Sequence, residues 1–237
     1  MKAFKFKQFT VNQDQCAMKI GTDGVLLGAW TSVKNNPFSV LDIGAGTGIL
    51  SLMLAQRSPA ELIDAIEIDD AAYEQCVDNF ENSPWSDRLF CYHASLDEFT
   101  LEIDDTYDLI ICNPPFYTET YKTDSTQRNM ARFSDALPFS HLLESVSKLL
   151  AAEGIFSVII PSKEEKGFIG MALKSGLFPN KILHVKGNPD SEIKRSLIEF
   201  SFQEKTVKTD TLIIENSRHN YTNNYKNLTK AFYLKMA

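Results

Sequence analysis

"SVLDIGAGTGIL", residues 39–50, decides the fold. Val40, Leu41 and Ile43 run into Gly44, Gly46 and Gly48, and an apolar helical pattern starts at once with Ile49 and Leu50. A buried strand that turns through glycines straight into a helix opens a βαβ unit. Reading outward, the alternation continues. "ELIDAIEID" (61–69) is strand-like and "DAAYEQCVDNFENS" (70–83) helical. "RLFCYHAS" (88–95) and the strongly apolar "YDLIICNPP" (107–115) are further strands. "FSHLLESVSKLLAAEG" (139–154) reads as an amphipathic helix stopped by Gly154, followed by the strand "IFSVIIP" (155–161). "EEKGFIGMALKSGL" (164–177) is helical, and "NKILHVKG" (180–187) with "SLIEFSFQ" (196–203) reads as a final antiparallel pair. This order predicts an α/β fold, a doubly wound and mostly parallel sheet with helices on both faces. Residues 1–38 stand before that core as an N-terminal extension, and residues 39–237 form the main domain. The extension holds "FKFKQFTV" (4–11), a short hairpin strand, and "GTDGVLLGAW" (21–30), a helix start that Thr22 or Asp23 is placed to cap.

Composition bounds the function. The chain has 237 residues, 43% hydrophobic and 23% charged, which suits a soluble globular protein. No run of about 20 apolar residues is present, so no transmembrane helix and no membrane partner is expected. The N-terminal stretch lacks the pattern of a signal peptide. Cys16, Cys76, Cys91 and Cys112 form no CxxC and no metal spacing, so no metal is expected and the thiols are read as reduced in a cytoplasmic protein. The net charge is −7, from 24 basic and 31 acidic side chains. From residue 181 onward there are 10 basic and 6 acidic residues, +4, which leaves −11 for residues 1–180. The tail residues Lys186, Lys194, Arg195, Lys205 and Lys208 are either a face that follows a polyanion or a solvated surface.

The glycine turn is a candidate ligand site. Glycines let a ligand approach the main chain closely. Glu67 ends the next strand, 19 residues after Gly48, where a carboxylate can take both ribose hydroxyls of a nucleoside. The spacing is GxGxG, not the GxGxxG of dinucleotide folds. Asp42 beside the turn would repel a pyrophosphate and suits a ligand with an ammonium group. Adenosine carrying an amino-acid tail, S-adenosylmethionine, fits both features.

"ICNPPFY" (111–117) follows the strand 107–112 at the carboxyl edge, where ligands of such sheets bind. Pro114 and Pro115 fix the backbone and remove two N–H donors. The carbonyls of Asn113 and Pro114 and the Asn113 side-chain oxygen are then acceptors without competing donors. Their natural partner is a planar NH2 group. Phe116 offers a face for stacking, worth roughly 1–3 kcal/mol for a base. Accepting both N–H hydrogens draws an exocyclic nitrogen toward tetrahedral geometry and aims its lone pair at a methyl group. The proton leaves after transfer, so no strong general base is required. Alone, the stretch would be a rigid turn; after a nucleoside-binding turn it points to methylation of an amine, with Asn113 bordering both ligands.

"LDIGAGTG" with "AIEID" resembles the first two motifs of class I S-adenosylmethionine-dependent methyltransferases, with their Rossmann-like sheet, and "NPPF" resembles the signature of members acting on amide or exocyclic amino nitrogens. The resemblance implies cofactor contacts from Asp42, Gly44, Gly46, Gly48 and Glu67. It puts Ser95, in "YHASLDEF" (92–99), where an Asp usually meets the adenine; a backbone amide at Ala94 or Ser95, or the Asp97 carboxylate, are the alternatives. The opening "FKFKQFTVNQDQCAMKIGTDGVLLGAW" (4–30), with "RNMARF" (128–133) and "LPFSHLL" (137–143), is similar to bacterial methyltransferases acting on adenine N6 at position 37 of a valine tRNA. That similarity spans nearly the whole chain. It implies a tRNA substrate and places Thr22 against the cofactor. The polar segment 117–135 then borders the target pocket, with Lys122, Arg128 and Arg132 for phosphates and Tyr117 or Tyr121 for stacking on bases. Guanine N2 in ribosomal RNA, a protein glutamine, and a non-catalytic nucleoside-binding scaffold are the other readings.

Overall fold

A computed structural model of the chain describes residues 3–115 and 137–236. Twelve strands and seven α-helices lie within those residues. Strands β1 (Phe4–Lys5) and β2 (Thr10–Val11) form the predicted small antiparallel hairpin. Helix α1 (Thr22–Trp30) precedes β3 (Ser39–Ile43), α2 (Ile49–Arg57), β4 (Leu62–Glu67), α3 (Asp70–Glu81), β5 (Leu89–His93), α4 (Leu96–Glu102) and β6 (Tyr107–Cys112). Then come α5 (Phe139–Leu149), β7 (Leu150–Pro161), α6 (Glu165–Lys174), β8 (Phe178–Lys186), β9 (Ile193–Ser201), β10 (Lys208–Ile213), the small pair β11 (Glu215–Ser217) and β12 (Asn220–Tyr221), and α7 (Asn223–Thr229).

Eight strands form one sheet in the order β10-β8-β9-β7-β6-β3-β4-β5. Only β9 runs antiparallel, between β7 and β8. The period-2 geometry of a strand sends alternate residues to opposite faces. Thus Val40, Ile63, Leu109 and Ile159 pack with Leu26, Leu52, Met53 and Phe80 of α1, α2 and α3, while Leu41, Ile110, Phe156 and Ile198 pack with Phe99 of α4, Val146 of α5 and Phe168 of α6. Strands buried on both faces read as continuous apolar runs, which is why β3, β6 and β7 were legible in the sequence.

Three expectations are corrected. Helix α5 ends at Leu149 rather than at Gly154, and β7 begins at Leu150. The pairing slips there: Tyr107 faces Leu150 but Leu109 faces Ile155. Gly154 sits in this bulge because a Cβ would lie 2.9 Å from the Tyr107 carbonyl oxygen and 2.8 Å from Leu150 Cδ1. The antiparallel pair β8–β9 is present but is not the end of the sheet, because β10 adds in parallel to β8 at the edge. Finally, neither Thr22 nor Asp23 caps α1; its N-cap is Gly21, with no side-chain bond. Asp23 instead accepts from Arg195 Nε at 2.7 Å, tying the start of α1 to β9.

The extension is docked along α3 and α2. Asn79 Nδ2 donates to the carbonyls of both Asn12 and Thr47 at 2.9 Å, and Asn12 N–H donates back to Asn79 Oδ1 at 2.8 Å. Gly28 of α1 lies so close to α2 that a Cβ would meet Met53 Sδ at 2.8 Å.

Gly48 carries the sharpest packing constraint. Its φ is +75°, and a Cβ would stand 2.5 Å from Phe80 Cε1 and 2.9 Å from Cys76 Sγ. Replacing it with alanine adds backbone strain of about 1–3 kcal/mol and overpacking of about 1–3 kcal/mol. Gly48→Ala is therefore expected to lower Tm by roughly 5–20 °C. An unchanged thermal transition by circular dichroism would show that α3 yields freely at this contact.

Candidate functional site

Chain order reverses direction in the sheet between β3 and β6, and ligands of open α/β sheets bind at such a switch point, beyond the carboxyl ends. The register is decisive here. Ile43 pairs with Cys112, so Gly44 and Asn113 leave the sheet side by side. The glycine turn and the "NPP" stretch, 69 residues apart in sequence, thus border one space.

The turn is built by backbone bonds. The N–H groups of Gly44 and Ala45 both donate to the Ile66 carbonyl at 3.0 Å. Gly44 and Gly46 have φ of +73° and +54°, and a Cβ on either would meet nothing within 4 Å. The turn therefore presents open main chain, a cradle that only glycines leave bare.

Asp42 lies beneath it, fully buried at 0% exposure. Its Oδ2 accepts from Ser51 N–H at 3.1 Å and Ser51 Oγ at 2.8 Å, while Oδ1 is buried without a partner. Burial pushes its carboxyl up to about 7, against the lowering effect of the Ser51 bonds, and nearby Glu67 adds to the rise. Asp42 is thus a candidate partner for a cationic group, placed below the turn rather than in open solvent.

Glu67 is already engaged. Its Oε2 accepts from Gly46 N–H at 2.8 Å, and its Oε1 accepts from Ile68 and Asp69 N–H, both at 2.9 Å. A carboxylate has about four lone-pair sites, so one stays open for a hydroxyl. Holding both ribose hydroxyls, as the sequence suggests, needs one backbone bond to be released. Cys16 feels the same carboxylate: burial raises its thiol to about 11, and the Glu67 charge adds to this.

On the far side of the turn, Ser95 is the N-cap of α4 in a full capping box. Its amide and hydroxyl both donate to Glu98 Oε2, at 2.9 and 2.7 Å. The Ser95 side chain and amide are therefore spent on the helix, and the Ala94 amide already donates to the Glu67 carbonyl at 3.2 Å. Asp97, the alternative, is held by His141 Nε2 of α5. Thr22 is exposed at the start of α1. Ile68, which the sequence reading passed over, is 64% exposed directly after Glu67. A large apolar side chain left in water beside an acid that is a candidate for ribose is a candidate surface for a base; its signal was an apolar residue just past a strand-ending acid.

Asn113 is half-buried, and its Oδ1 is buried with no hydrogen-bond partner among the described residues. Buried acceptors are nearly always satisfied, so this oxygen at the carboxyl edge is a candidate acceptor for a ligand's donor. Pro114 and Pro115 follow it with trans peptide bonds. Phe116, Tyr117, Tyr121, Lys122, Arg128 and Arg132 lie outside the described residues. Among the described residues no cluster of His, Cys, Asp or Glu could hold a metal ion, and no helix is long and apolar enough to cross a membrane.

The orphaned Asp42 oxygen, the bare glycine cradle and the strand-ending acid fit S-adenosyl-L-methionine. Fold and site together define a class I methyltransferase. The same fold occurs in a predicted O-methyltransferase from Agrobacterium tumefaciens, with a TM-score of 0.67 over 89% of this chain and 96% of that one at 20% identity. The family model "Methyltransferase small domain" matches residues 24–138. Over 98% of its length this chain is 63% identical to the whole tRNA1(Val) (adenine(37)-N6)-methyltransferase of Flavobacterium psychrophilum, and 61% identical to that of Flavobacterium johnsoniae, also covered in full. A relative of the same name from Pseudoalteromonas translucida is 42% identical over all of both chains. The chain belongs to the tRNA1(Val) (adenine(37)-N6)-methyltransferase family.

If the Glu67 carboxylate holds the ribose, its amide analogue weakens the site without emptying it. Glu67→Gln is expected to raise the Kd for S-adenosyl-L-methionine by about 10- to 100-fold, the worth of a hydrogen bond to a charged group. Titration calorimetry checks this; an unchanged Kd would leave Glu67 as a mere fastener of the turn.

Proposed function

We propose that the protein methylates N6 of adenosine 37 in the anticodon loop of tRNA1(Val), in the cytoplasm, using S-adenosyl-L-methionine. The observation that carries this reading is the Asn113 Oδ1, unpartnered among the described residues, beside the glycine turn. When bound, the cofactor supplies a methyl group on a sulfonium. Asn113 accepts one N–H of the target amine through Oδ1, and its main-chain carbonyl or that of Pro114 accepts the other. The nitrogen lone pair is then directed at the methyl carbon. Transfer of that methyl would form a C–N bond as the C–S bond breaks, leaving a neutral thioether, and the amine's surplus proton would pass to solvent. The residues work by position and fixed dipoles. Asp42 opposes the ammonium group, Glu67 takes ribose, the glycines admit the ligand to the main chain, and Ile68 lies under the adenine.

The domain reading goes with this. Residues 1–38 act as an extension over the cofactor and substrate site of a methyltransferase domain, 39–237. Support comes from Cys16, whose thiol feels the Glu67 charge, and from the Asn12–Asn79–Thr47 bonds, which hold the segment next to the turn. Phe116 and the basic and aromatic residues of 117–135 are proposed to receive the turned-out base and its neighbours; position 37 is stacked yet single-stranded, which makes turning it out less costly than in a duplex. Guanine N2, a protein glutamine and a non-catalytic scaffold are not favoured by the relatives.

The test uses methyl-labelled S-adenosyl-L-methionine and tRNA lacking the modification, with nucleosides identified after digestion. N6-methyladenosine is expected. Methylated guanosine, or no methylated nucleoside beside a working control enzyme, would refute the reading.

A further inference from the structure

The carboxyl edge of the sheet is electrostatically lopsided. On the β3–β4–β5 side the exposed charges are mostly acidic: Asp14, Asp69 and Asp70, with Asp97 and Glu98 in the first turn of α4, against Lys19, whose Nζ is held by the Gln13 and Cys16 carbonyls. On the β7–β9–β8 side the ends carry lysines. Lys163 follows the end of β7, Lys186 ends β8, and Lys194 is the second residue of β9, where the next residue, Arg195, pairs with Pro161 at the end of β7. The acids on this side are turned inward or weakly held. Glu165 accepts from Ser196 and bonds His184 at 2.8 Å, and Asp23 holds Arg195. Glu164 and Glu192 reach Lys163 and Lys194 only at 3.7 and 3.9 Å on exposed side chains. Such surface pairs are worth little in water and are readily exchanged. Lys186 Nζ rests on the Pro189 carbonyl, and Asp190 is exposed in the same turn.

Register also splits the basic tail that the sequence groups together. Lys208 pairs with Lys181 at the start of β8, and Lys205 lines a cleft with Glu153 and Asn35 at the amino edge. Both lie across the full sheet from Asn113.

We propose that the tRNA backbone beside the target adenosine lies over the ends of β7, β9 and β8, where Lys163, Lys186 and Lys194 meet its phosphates, and that the acidic rim keeps RNA off the cofactor side. This rests on the tRNA reading above and deepens it. A chain of net charge −7 binds a polyanion only through such a local face, and each phosphate contact adds about 0.7–0.9 to the salt slope of the affinity.

The test compares full-length K163Q/K186Q/K194Q and K205Q/K208Q with the unaltered protein. Binding of unmodified tRNA is followed by fluorescence anisotropy over a salt series, with thermal unfolding and cofactor titration as controls for folding. The triple variant is expected to bind tRNA at least about tenfold more weakly at low salt, with its log–log salt slope reduced by about two. Its Tm and cofactor Kd should match the unaltered protein, and the double variant should bind tRNA normally. Unchanged affinity and slope in the folded triple variant, or a larger loss in the double variant, would overturn the proposal. Because binding is read directly, a protein that shows this lysine dependence but transfers no methyl would refute the reaction while leaving the docking face established.

Discussion

Asn113→Ala is expected to lower kcat by about 10²–10³, the loss seen when one preorganised electrostatic partner of a transition state is removed. Cofactor affinity should stay near that of the unaltered protein. Asn113 follows Cys112, the last residue of a strand buried on both faces, and two prolines fix the chain after it. Its Oδ1 has no partner among the described residues, so alanine removes no described bond made by that oxygen. What disappears is an acceptor that orients the amine and becomes stronger as positive charge grows on nitrogen. Single-turnover rates at saturating cofactor separate the step from binding. Turnover within a few-fold of the unaltered protein would mean that main-chain carbonyls alone direct the nitrogen.

The second large effect concerns Asp42. A carboxyl held at about 7 in the fold, against 3.8 ordinarily, keeps its proton in the native state where the unfolded chain has lost it. Stability from this group is therefore present below about pH 4 and lost as pH rises through about 7, an effect of about 4 kcal/mol at most. Asp42→Asn keeps an acceptor for Ser51 and removes the charge. The ligand-free variant is expected to be more stable above pH 7 by about 2–4 kcal/mol, and to lack the decline in stability between pH 4 and 7. The same change should weaken S-adenosyl-L-methionine by about tenfold or more, since a close opposite charge is lost from a buried site. Urea denaturation across pH, alongside calorimetric titration, reads both. Superimposable pH–stability profiles would show that Asp42 is ionised at no cost and needs no cationic ligand.

The sheet was legible because its strands are buried on both faces. β3, β4, β6 and β7 appear as mostly apolar runs interrupted by single polar residues such as Asp42, Asp64 and Asp108, and the glycines with positive φ mark the turn out of β3. Other features are invisible at the level of local pattern. β10, "KTDTLI", is an edge strand with four exposed residues in a row, so it shows neither alternation nor an apolar run. The α5 boundary was missed because Leu149 and Leu150 continue the helical pattern, while the bulge that ends it depends on Tyr107 across the sheet.

In the site, residue types were readable and their partners were not. Asp42, Glu67 and Asn113 declare their chemistry in the sequence. That Glu67 fastens three backbone N–H groups, that Ser95 closes a capping box, and that Asp23 meets Arg195 rather than capping α1 are all settled in space. The last pair is separated by 172 residues. The division of the basic tail between two sheet edges likewise needs the register of β8, β9 and β10.

The most direct test of the account is position mapping. An unmodified tRNA1(Val) transcript and one with guanosine at position 37 would be incubated with the protein and S-adenosyl-L-methionine, cut into fragments, and weighed. The account predicts one added methyl on the fragment containing adenosine 37, and none anywhere on the substituted transcript. A methyl on another fragment, or on the substituted transcript, would contradict it.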